Sequence, residues 1–499
     1  MSAAMDNVAE PESKDLERLC EIEATVATGL EEIAKDEADE KLGVDSRISR
    51  GRILLQIPIK NVSKALELGC IDNLFILMTE RSNFPFVDDE GKHNSHQDII
   101  KRLIQKDPRK RRRIRRVSDK ENGVNPEKNE REEAQNENKE EQGDKDVDSK
   151  QEHQKDEEED ALRDQKNDKE DKSNVTDLSE DVEDKNEESK TELDEDPALK
   201  KPRTKITTHN PLLPSFRVTC NRNGKNHRFD SMGAASNFGG AVNEYFGWNV
   251  SMKNFDIEVV LNIEETDLRV CLALTKESMH KRNIISFGPT TLRPTIAFCL
   301  LRLCKIKEGD VVCDPMCGTG SIPIQASLGW PGSYHLCGEI NNKSLSRTSE
   351  NIQHVNDLRK EADKKQIQLD PLKWNAHYLP LRTDSVDVFV TDLVCSVYSF
   401  LMGSKQDNWK LYPGAMMDMA RTCKVGSGRA TILTQDKKCF NKALAITAKY
   451  WKCWRMTGFN MGGLAGCIYS LYRTKEVFDD KDSSSWMAEV DATARKKDN

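Results

Sequence analysis

Two spacings of hydrophobic residues organise the first eighty positions of the chain. Residues 22–26 alternate between apolar and polar side chains, which predicts a strand, whereas Gly29–Leu42 repeats its apolar residues with the period of a helix. The same patterns predict three further elements: a strand at residues 52–57, a helix over Asn61–Leu68 capped by Asn61 or Ser63, and a strand at residues 73–78. This β-α-β-α-β unit is too small for an independent core, and we expect it to pack against a later part of the chain.

The periodicity stops near residue 85 and returns near Ser215. The intervening stretch holds a basic run, Arg109–Arg116, and then an acidic low-complexity tract that reaches Lys200. Such a composition buries too little apolar area to offset about 1–2 kcal/mol per residue of backbone ordering, and it predicts disorder. The basic run is typical of a nuclear-import signal or an RNA-phosphate patch, and equally of a linker that pairs loosely with the acidic tract.

Regular elements follow Ser215 almost to the end of the chain. Residues 216–220 and 255–263 are predicted strands, and residues 268–274 are the predicted antiparallel partner of the second one. Between them a helix is predicted over Met232–Trp248, with these residues facing inward: Ala235, Phe238, Ala241, Val242, Tyr245 and Phe246. From Thr291 onward helices and strands alternate, which indicates an α/β fold with a parallel, doubly wound sheet.

The charge of the chain is unevenly distributed. The 499 residues are 36% hydrophobic and 32% charged, with a formal net charge of −9. Residues Asp119–Lys200 contain 33 acidic and 14 basic side chains, so this tract carries −19 and the remainder of the chain +10. The length requires at least two domains. The folded parts therefore lean basic, and the acidic average does not argue against a polyanionic partner.

The fourteen cysteines could indicate disulfides, a metal site or neither. The first thirty residues lack a secretory signal, and no run of about 18 apolar residues is present, which predicts a cytoplasmic protein without membrane association. Nuclear import through Arg109–Arg116 is the alternative. The spacing of Cys299, Cys304, Cys313 and Cys317 matches no zinc motif. We interpret them as buried free thiols and expect no metal site.

The strongest chemical signal lies in residues 311–324. A strand ends in Asp314, the chain turns on Gly318 and Gly320, and a helix follows. Glycines let a backbone approach a ligand closely, and a helix N-terminus offers free N–H groups. A dinucleotide loop would need glycine where Pro323 stands. The run Asp-Pro-Met-Cys-Gly-Thr-Gly resembles instead the cofactor loop of amino-group methyltransferases that use S-adenosylmethionine.

The next three predicted strands also place polar side chains where a cofactor and substrate could bind. Glu339 ends the strand at residues 335–340, where a carboxylate can take both hydroxyls of a ribose. Asn375 lies in the strand region at residues 373–376, where its amide oxygen could accept a hydrogen bond from adenine. Asp392 ends the strand at residues 385–393. A carboxylate there could accept the hydrogens of an exocyclic amine that is to be methylated.

Six segments together resemble the THUMP-domain-containing protein 3 family of tRNA guanine-N2-methyltransferases. These are residues 216–222, 238–242, 280–284, 287–293, 314–320 and 434–436. The resemblance implies a Rossmann-like methyltransferase domain preceded by an α+β THUMP module with a ferredoxin-like part. It divides the chain into a disordered N-terminus at 1–18, the ferredoxin-like part at 19–90, a charged disordered insert at 91–204, the THUMP domain at 205–284, the methyltransferase domain at 285–480 and a disordered C-terminus at 481–499.

The resemblance also implies an activity and partners. The reaction would be N2-methylation of guanosine in the tRNA acceptor stem, at position 6 with position 7 as a second candidate. The catalytic subunit would form a heterodimer with a small zinc-binding activator. The implied cofactor-binding residues are Asp314, Pro315, Gly318, Thr319, Gly320, Glu339 and Asn375, the catalytic residue is Asp392, and the candidate RNA contacts are Arg217, Arg222, Lys225, Arg228 and Arg293.

The sequence departs from the family pattern at two places. Asn375 stands where the family has Asp, which weakens the expected contact with adenine. Residues 394–401 replace the Pro-aromatic-Gly that follows the catalytic Asp-Leu, which removes a rigid turn and a base-stacking side chain. One hypothesis is a splice or gene-model difference confined to this segment. The alternative function is a tRNA-binding protein with an impaired methyltransferase domain, and DNA or protein-glutamine methylation is a third.

Overall fold

The computed structural model describes residues 17–84, 86, 211–224, 227, 229–393, 405–461 and 463–482. Several sequence predictions lie outside these residues. They concern the basic run Arg109–Arg116, Lys225, Arg228, the segment 394–401, and nearly all of the segments predicted to be disordered.

The N-terminal part is a ferredoxin-like β-α-β-β-α-β unit. Its elements are β1 Leu19–Thr25, α1 Glu31–Leu42, β2 Arg47–Ser49, β3 Arg52–Pro58, α2 Val62–Ala65 and β4 Asn73–Arg81. The antiparallel strands lie in the order β2-β3-β1-β4. The sequence prediction missed β2, because three residues are too few to show alternation. The helix predicted over Asn61–Leu68 is also wrong in extent: a 3₁₀ turn precedes the four-residue α2, and the Asn61 side chain makes no capping hydrogen bond.

The next part adds four strands to the same sheet. Its elements are β5 Ser215–Asn223, α3 Ser231–Phe246, β6 Asn249–Val250, β7 Ile257–Glu264 and β8 Asp267–Ala273. The predicted hairpin of β7 and β8 is confirmed, and β8 pairs with β4 to give the order β2-β3-β1-β4-β8-β7-β5-β6. The prediction that Tyr245 and Phe246 face inward is wrong, since they are 40% and 50% exposed. Phe246 stacks on Trp248 instead, with 4.7 Å between the ring centroids.

The C-terminal part contains the second sheet. Its elements are α4 Pro294–Leu303, β9 Val311–Asp314, α5 Ser321–Gly329, β10 Tyr334–Glu339, α6 Asn342–Glu361, β11 Pro371–Lys373, β12 Val388–Leu393, α7 Lys405–Thr422, β13 Arg429–Thr434, α8 Lys437–Ile446, β14 Trp451–Met461 and β15 Leu464–Arg473. The strand order is β11-β10-β9-β12-β13-β15-β14. The first five strands are parallel, as predicted, whereas β15 and β14 are antiparallel additions. The order reverses between β9 and β12, where doubly wound sheets bind their ligands.

The two sheets share one hydrophobic core. Residues of the ferredoxin-like part pack with α4 and with strands of the second sheet. Gly69 allows this contact, because a Cβ there would overlap the Phe298 ring. Arg282 donates hydrogen bonds to the carbonyl oxygens of Leu68 at 2.8 Å and Ile71 at 2.9 Å. The expectation that the small N-terminal unit packs on a later part of the chain is therefore confirmed.

Two further sequence interpretations concern cysteines and membranes. Cys299, Cys304, Cys313 and Cys317 are buried free thiols, as predicted. Within the described ranges, no helix combines the length and the apolar surface that a membrane span requires.

Candidate active site

The glycine loop between β9 and α5 forms a backbone cradle at the switch point. Gly318 and Gly320 have φ angles of +55° and +88°, a left-handed conformation that glycine adopts most readily. A Cβ on Gly320 would lie 2.8 Å from the Cγ2 atom of Thr348. The residue before α5, Gly320, has no side chain to cap the helix, so the first N–H groups of α5 can bind a ligand.

Asp314 lies at the base of this cradle. It is 3% exposed, and its Oδ1 atom accepts a hydrogen bond from the amide of Met316 at 3.1 Å. Among the described residues its Oδ2 atom has no hydrogen-bond partner. Burial raises the pKa of Asp314 to about 8, and the nearby charges of Glu339 and Asp392 act in the same direction. A buried oxygen without a partner fits a donor or cationic group of a bound cofactor.

Glu339 at the end of β10 is held in place by the glycine loop. Its Oε2 atom accepts a hydrogen bond from the amide of Gly318 at 3.0 Å, and its Oε1 atom accepts one from Asn341 at 2.9 Å. Each carboxylate oxygen has a second lone pair, and the side chain is partly exposed. The oriented carboxylate can thus still accept both hydroxyls of a ribose.

The sequence predicted a strand region at residues 373–376 that includes Asn375, but the strand ends before Asn375. The strand β11 ends at Lys373, and Asn375 lies exposed in a turn in which its Oδ1 atom accepts a hydrogen bond from the amide of His377 at 3.0 Å. The preceding residue explains the difference. Trp374 is buried against Gly338, where a Cβ would overlap the indole, and its Nε1 donates to the carbonyl of Pro315 at 2.9 Å. Packing of this ring on the cofactor loop ends the strand early.

The segment before α4 borders the same loop. Thr291 accepts a hydrogen bond from the amide of Gly288 at 2.7 Å, and the hydroxyls of Thr291 and Thr319 lie 3.1 Å apart. Ser321 donates to the carbonyl of Leu292 at 2.7 Å. These contacts attach residues 288–292 to the side of the cradle.

Asn351 joins this segment to the glycine loop, and sequence reasoning missed it. Its side chain is fully buried on α6. Its Oδ1 atom accepts from the amides of Ile285 at 2.9 Å and Ser286 at 2.8 Å, while its Nδ2 group donates to the carbonyls of Ser286 at 3.0 Å and Thr319 at 2.9 Å. The available signal was a polar residue on the same helical face as the apolar Ile352 and Val355.

Asp392 is the last residue but one of β12, on the other side of the switch point. Burial raises the pKa of its carboxyl group to about 7. The following residue, Leu393, has its carbonyl fixed by the hydroxyl of Tyr412 at 3.0 Å. The hydroxyl of Thr434 at the end of β13 lies 3.3 Å from the same phenolic oxygen. The structure thus brings the carboxylates of Asp314, Glu339 and Asp392 to one edge of the sheet, close enough for their charges to interact.

The predicted RNA contacts that the structure describes do not lie together at one place. Arg217 forms an ion pair with Glu258 at 2.9 Å and lies over the ring of Phe255, so its charge is largely compensated. Arg222 donates to the carbonyl of Gly224 at 3.3 Å. Arg293 lies 3.6 Å from a carboxylate oxygen of Asp72 at the contact between the two sheets.

Comparison with known proteins matches the part of the chain that contains β5 to β8 and the part that contains the second sheet to described families. Residues 196–273 match the THUMP domain, and residues 282–465 match the RMKL-like methyltransferase domain. The chain is 38% identical over 469 residues to the mouse (Mus musculus) protein named tRNA (guanine(6)-N(2))-methyltransferase THUMP3, with 92% of this chain and 89% of that protein covered. The human (Homo sapiens) protein of the same name is 37% identical over 468 residues, with 93% and 90% covered. The crystal structure of TrmN from Thermus thermophilus has a similar fold, with a TM-score of 0.57, 18% identity, and 91% of this chain and 100% of that chain covered.

Proposed function

The chain belongs to the family of S-adenosylmethionine-dependent tRNA guanine-N2-methyltransferases that includes THUMP3, and we propose that it methylates N2 of guanosine 6 in the acceptor stem, with position 7 as a second target. Position 6 is the one that the names of the mouse and human relatives carry. The observation that carries the proposal is the meeting of Asp314, Glu339 and Asp392 beside a glycine cradle at the switch point of the sheet.

The residues present fit S-adenosylmethionine. We assign its binding to the cradle of Gly318, Thr319 and Gly320, to the buried carboxyl of Asp314 and to the oriented carboxylate of Glu339, with Pro315 held by Trp374. When bound, the cofactor supplies a methyl group on a positively charged sulfur. Asn375 is proposed to contact adenine through its exposed side-chain amide. Its Oδ1 atom already accepts one hydrogen bond in the turn, from the amide of His377, so only part of its acceptor capacity is left for adenine.

The role proposed for Asp392 follows from its place and its raised pKa. The carboxylate accepts a hydrogen bond from the exocyclic amine of guanine, which withdraws the nitrogen lone pair from ring conjugation and orients it. As the nitrogen gains its methyl group it must lose a proton, and a carboxyl group with a pKa of about 7 takes up that proton near neutral pH.

The second candidate function is tRNA binding with impaired methyl transfer. The observation that favours it is the run Val394-Cys395-Ser396 where the family pattern has Pro-aromatic-Gly. The two functions are separated by measuring radiolabelled methyl transfer to unmodified tRNA and tRNA binding in parallel. Binding without transfer, restored to transfer by replacing the segment 394–401 with Pro-Phe-Gly, would favour the impaired enzyme. Transfer by the unaltered chain would exclude it.

A small zinc-binding activator subunit is the proposed partner. Support comes from apolar side chains at one edge of the second sheet, where β11 pairs with β10 alone among the described strands. Leu372 on β11 is exposed, and so are Tyr334 at the start of β10 and Tyr378 shortly after β11. We expect Leu372→Glu with Tyr378→Glu to abolish co-purification with the activator. Tyr472→Glu, at a residue exposed on β15, serves as the control and retains it.

The organisation of the chain is proposed as the sequence predicts it. The ferredoxin-like part covers 19–90, the THUMP domain 205–284 and the methyltransferase domain 285–480, with candidate RNA contacts at Arg217, Arg222, Lys225, Arg228 and Arg293. We propose a cytoplasmic location, with nuclear import through Arg109–Arg116 as the alternative.

Mass spectrometry of tRNA from cells without this protein tests the proposed function. We expect N2-methylguanosine at position 6 to disappear and to return when the wild-type chain is expressed. Unchanged N2-methylguanosine at that position would reject the proposal.

A further inference from the structure

A cluster of lysines lies at the catalytic edge of the second sheet, outside the cofactor cradle. Lys437 and Lys438 form the first turn of α8, and Lys442 follows one turn later. All three side chains are exposed, and Lys442 lies over the ring of the half-exposed Trp409 on α7, with its Nζ atom 4.7 Å from the ring centroid. We call Lys437, Lys438, Lys442 and Trp409 the lysine patch.

The patch is close to Asp392 through the strand register. Asp392 and Leu393 pair with Leu433 and Thr434 on the adjacent parallel strand β13, which ends three residues before Lys437. Neighbouring strands are about 4.8 Å apart and three residues span at most about 11 Å, so the backbone of Lys437 lies within about 16 Å of the end of β12. A nucleic-acid strand carries a phosphate every 3.4 Å or so along its axis. Several phosphates beside a guanosine at Asp392 therefore fall within this range.

The placement of these lysines is unfavourable for the helix itself. Cations in the first turn oppose the helix dipole, and like charges four residues apart, as at Lys438 and Lys442, repel each other by about 0.2–0.5 kcal/mol. Asp436, which directly precedes Lys437 in sequence, caps the helix by accepting a hydrogen bond from the amide of Cys439 at 3.0 Å. In the described part of the chain no ion pair joins Lys437, Lys438 or Lys442 to a carboxylate. The chain thus leaves an uncompensated positive surface next to its reacting centre.

We propose that the lysine patch binds the phosphate backbone of the tRNA strand that carries the target guanosine. This inference rests on the proposed function and adds a contact surface on the methyltransferase domain. Lys437 and Lys438 neutralise phosphates, and the Trp409 ring holds Lys442 in place for a third contact. Phosphate contacts of this kind fix the position of the strand, while recognition of the base remains with the active site.

The full-length variant Lys437→Ala with Lys438→Ala tests the proposal. Fluorescence anisotropy with unmodified tRNA should show dissociation constants about tenfold higher at low salt. The slope of log K against log salt should become less steep by about 2 units, because two phosphate contacts are lost. The KM for tRNA should rise with kcat nearly retained. Calorimetric binding of S-adenosylmethionine should be unchanged, which shows that the variant is folded.

The matched control uses a similar pair at the opposite edge of the sheet. Lys305 lies over the ring of Trp454 with 5.9 Å between Nζ and the centroid, and Lys307 is exposed beside it. Lys305→Ala with Lys307→Ala should leave the affinity and the salt slope unchanged. Two results would overturn the proposal. One is an equal loss of tRNA affinity in both double variants, and the other is a wild-type salt slope for Lys437→Ala with Lys438→Ala. If the wild-type chain binds tRNA but transfers no methyl group to guanosine 6, the proposed function is rejected. The salt dependence of tRNA binding would still show whether the lysine patch contacts phosphates.

Discussion

The phenolic hydroxyl of Tyr412 donates a hydrogen bond to the carbonyl oxygen of Leu393, 3.0 Å away, although the two residues are 19 positions apart in sequence. Leu393 directly follows Asp392, and Tyr412 is fully buried on α7. A residue of a packed helix thus fixes the backbone at the end of the strand that carries the catalytic candidate.

We expect Tyr412→Phe to lower kcat about tenfold while the affinity for S-adenosylmethionine stays the same. The variant leaves the Leu393 carbonyl without this donor, which costs about 1–3 kcal/mol of stability and loosens the position of Asp392. Tyr469→Phe is the control, since Tyr469 is equally buried but donates to Asn441. Steady-state kinetics should separate the two variants. A similar fall in kcat in both would mean that Tyr412 acts on stability alone.

Gly320→Ala should abolish cofactor binding. Alanine at a φ of +88° is strained by about 1–2 kcal/mol, and its Cβ would also lie 2.8 Å from Thr348. Gly309 has a φ of +81°, but a Cβ at that position would meet open space, so Gly309→Ala has the backbone strain without the clash. Isothermal titration with S-adenosylmethionine should show no binding for the first variant and normal binding for the second. Normal S-adenosylmethionine binding by Gly320→Ala would contradict the role of the glycine loop in holding the cofactor.

Asn351→Leu should weaken cofactor binding at least tenfold. The leucine cannot replace the four backbone hydrogen bonds that hold residues 285–286 against the glycine loop. Asn356 on the same helix binds the backbone of Ile367, away from that loop. Asn356→Leu should therefore lower the melting temperature without changing the cofactor affinity. If both variants bind the cofactor equally well, Asn351 has no part in shaping the site.

The pH dependence of kcat/KM should show an acidic limb with an apparent pKa near 7. The pKa of Asp392 is raised, so the carboxyl group is protonated below pH 7 and cannot accept the amine hydrogens. Activity should rise as pH increases through about 7, and the titration of Asp314 near 8 should broaden the limb because the two charges interact. A profile that is flat from pH 5 to 9 would exclude a titrating Asp392 from the reaction.

The sequence indicated those candidate site residues whose signal is local. Asp314, Glu339 and Asp392 each lie at or next to the end of an apolar strand. Parallel strands bring such ends to one edge of the sheet, so their meeting was predictable. Asn351 and Tyr412 were missed, because their partners at residues 285–286 and 393 are distant in sequence and only the packing of α6 and α7 brings them close. The lysine patch was missed for a similar reason, since its place depends on the register of β12 and β13.

Other differences arise where tertiary packing overrides a local pattern. The strand expected at Asn375 is cut short, because the ring of Trp374 occupies the space above Gly338. The inward face predicted for the helix at 232–248 includes Tyr245 and Phe246, which the spacing alone cannot distinguish from core residues.

The pairing of β4 with β8 has a consequence for the synthesis of the chain on the ribosome. Phe75 pairs with Ala273, about 200 residues later in the chain. At 5–20 residues per second, β4 emerges about 10–40 s before its partner has been made. During this time the apolar edge of the N-terminal unit is open to wrong pairing, and the α4 residues that complete its core are still absent. The risk of wrong strand pairing is therefore greatest before the second half of the chain is translated.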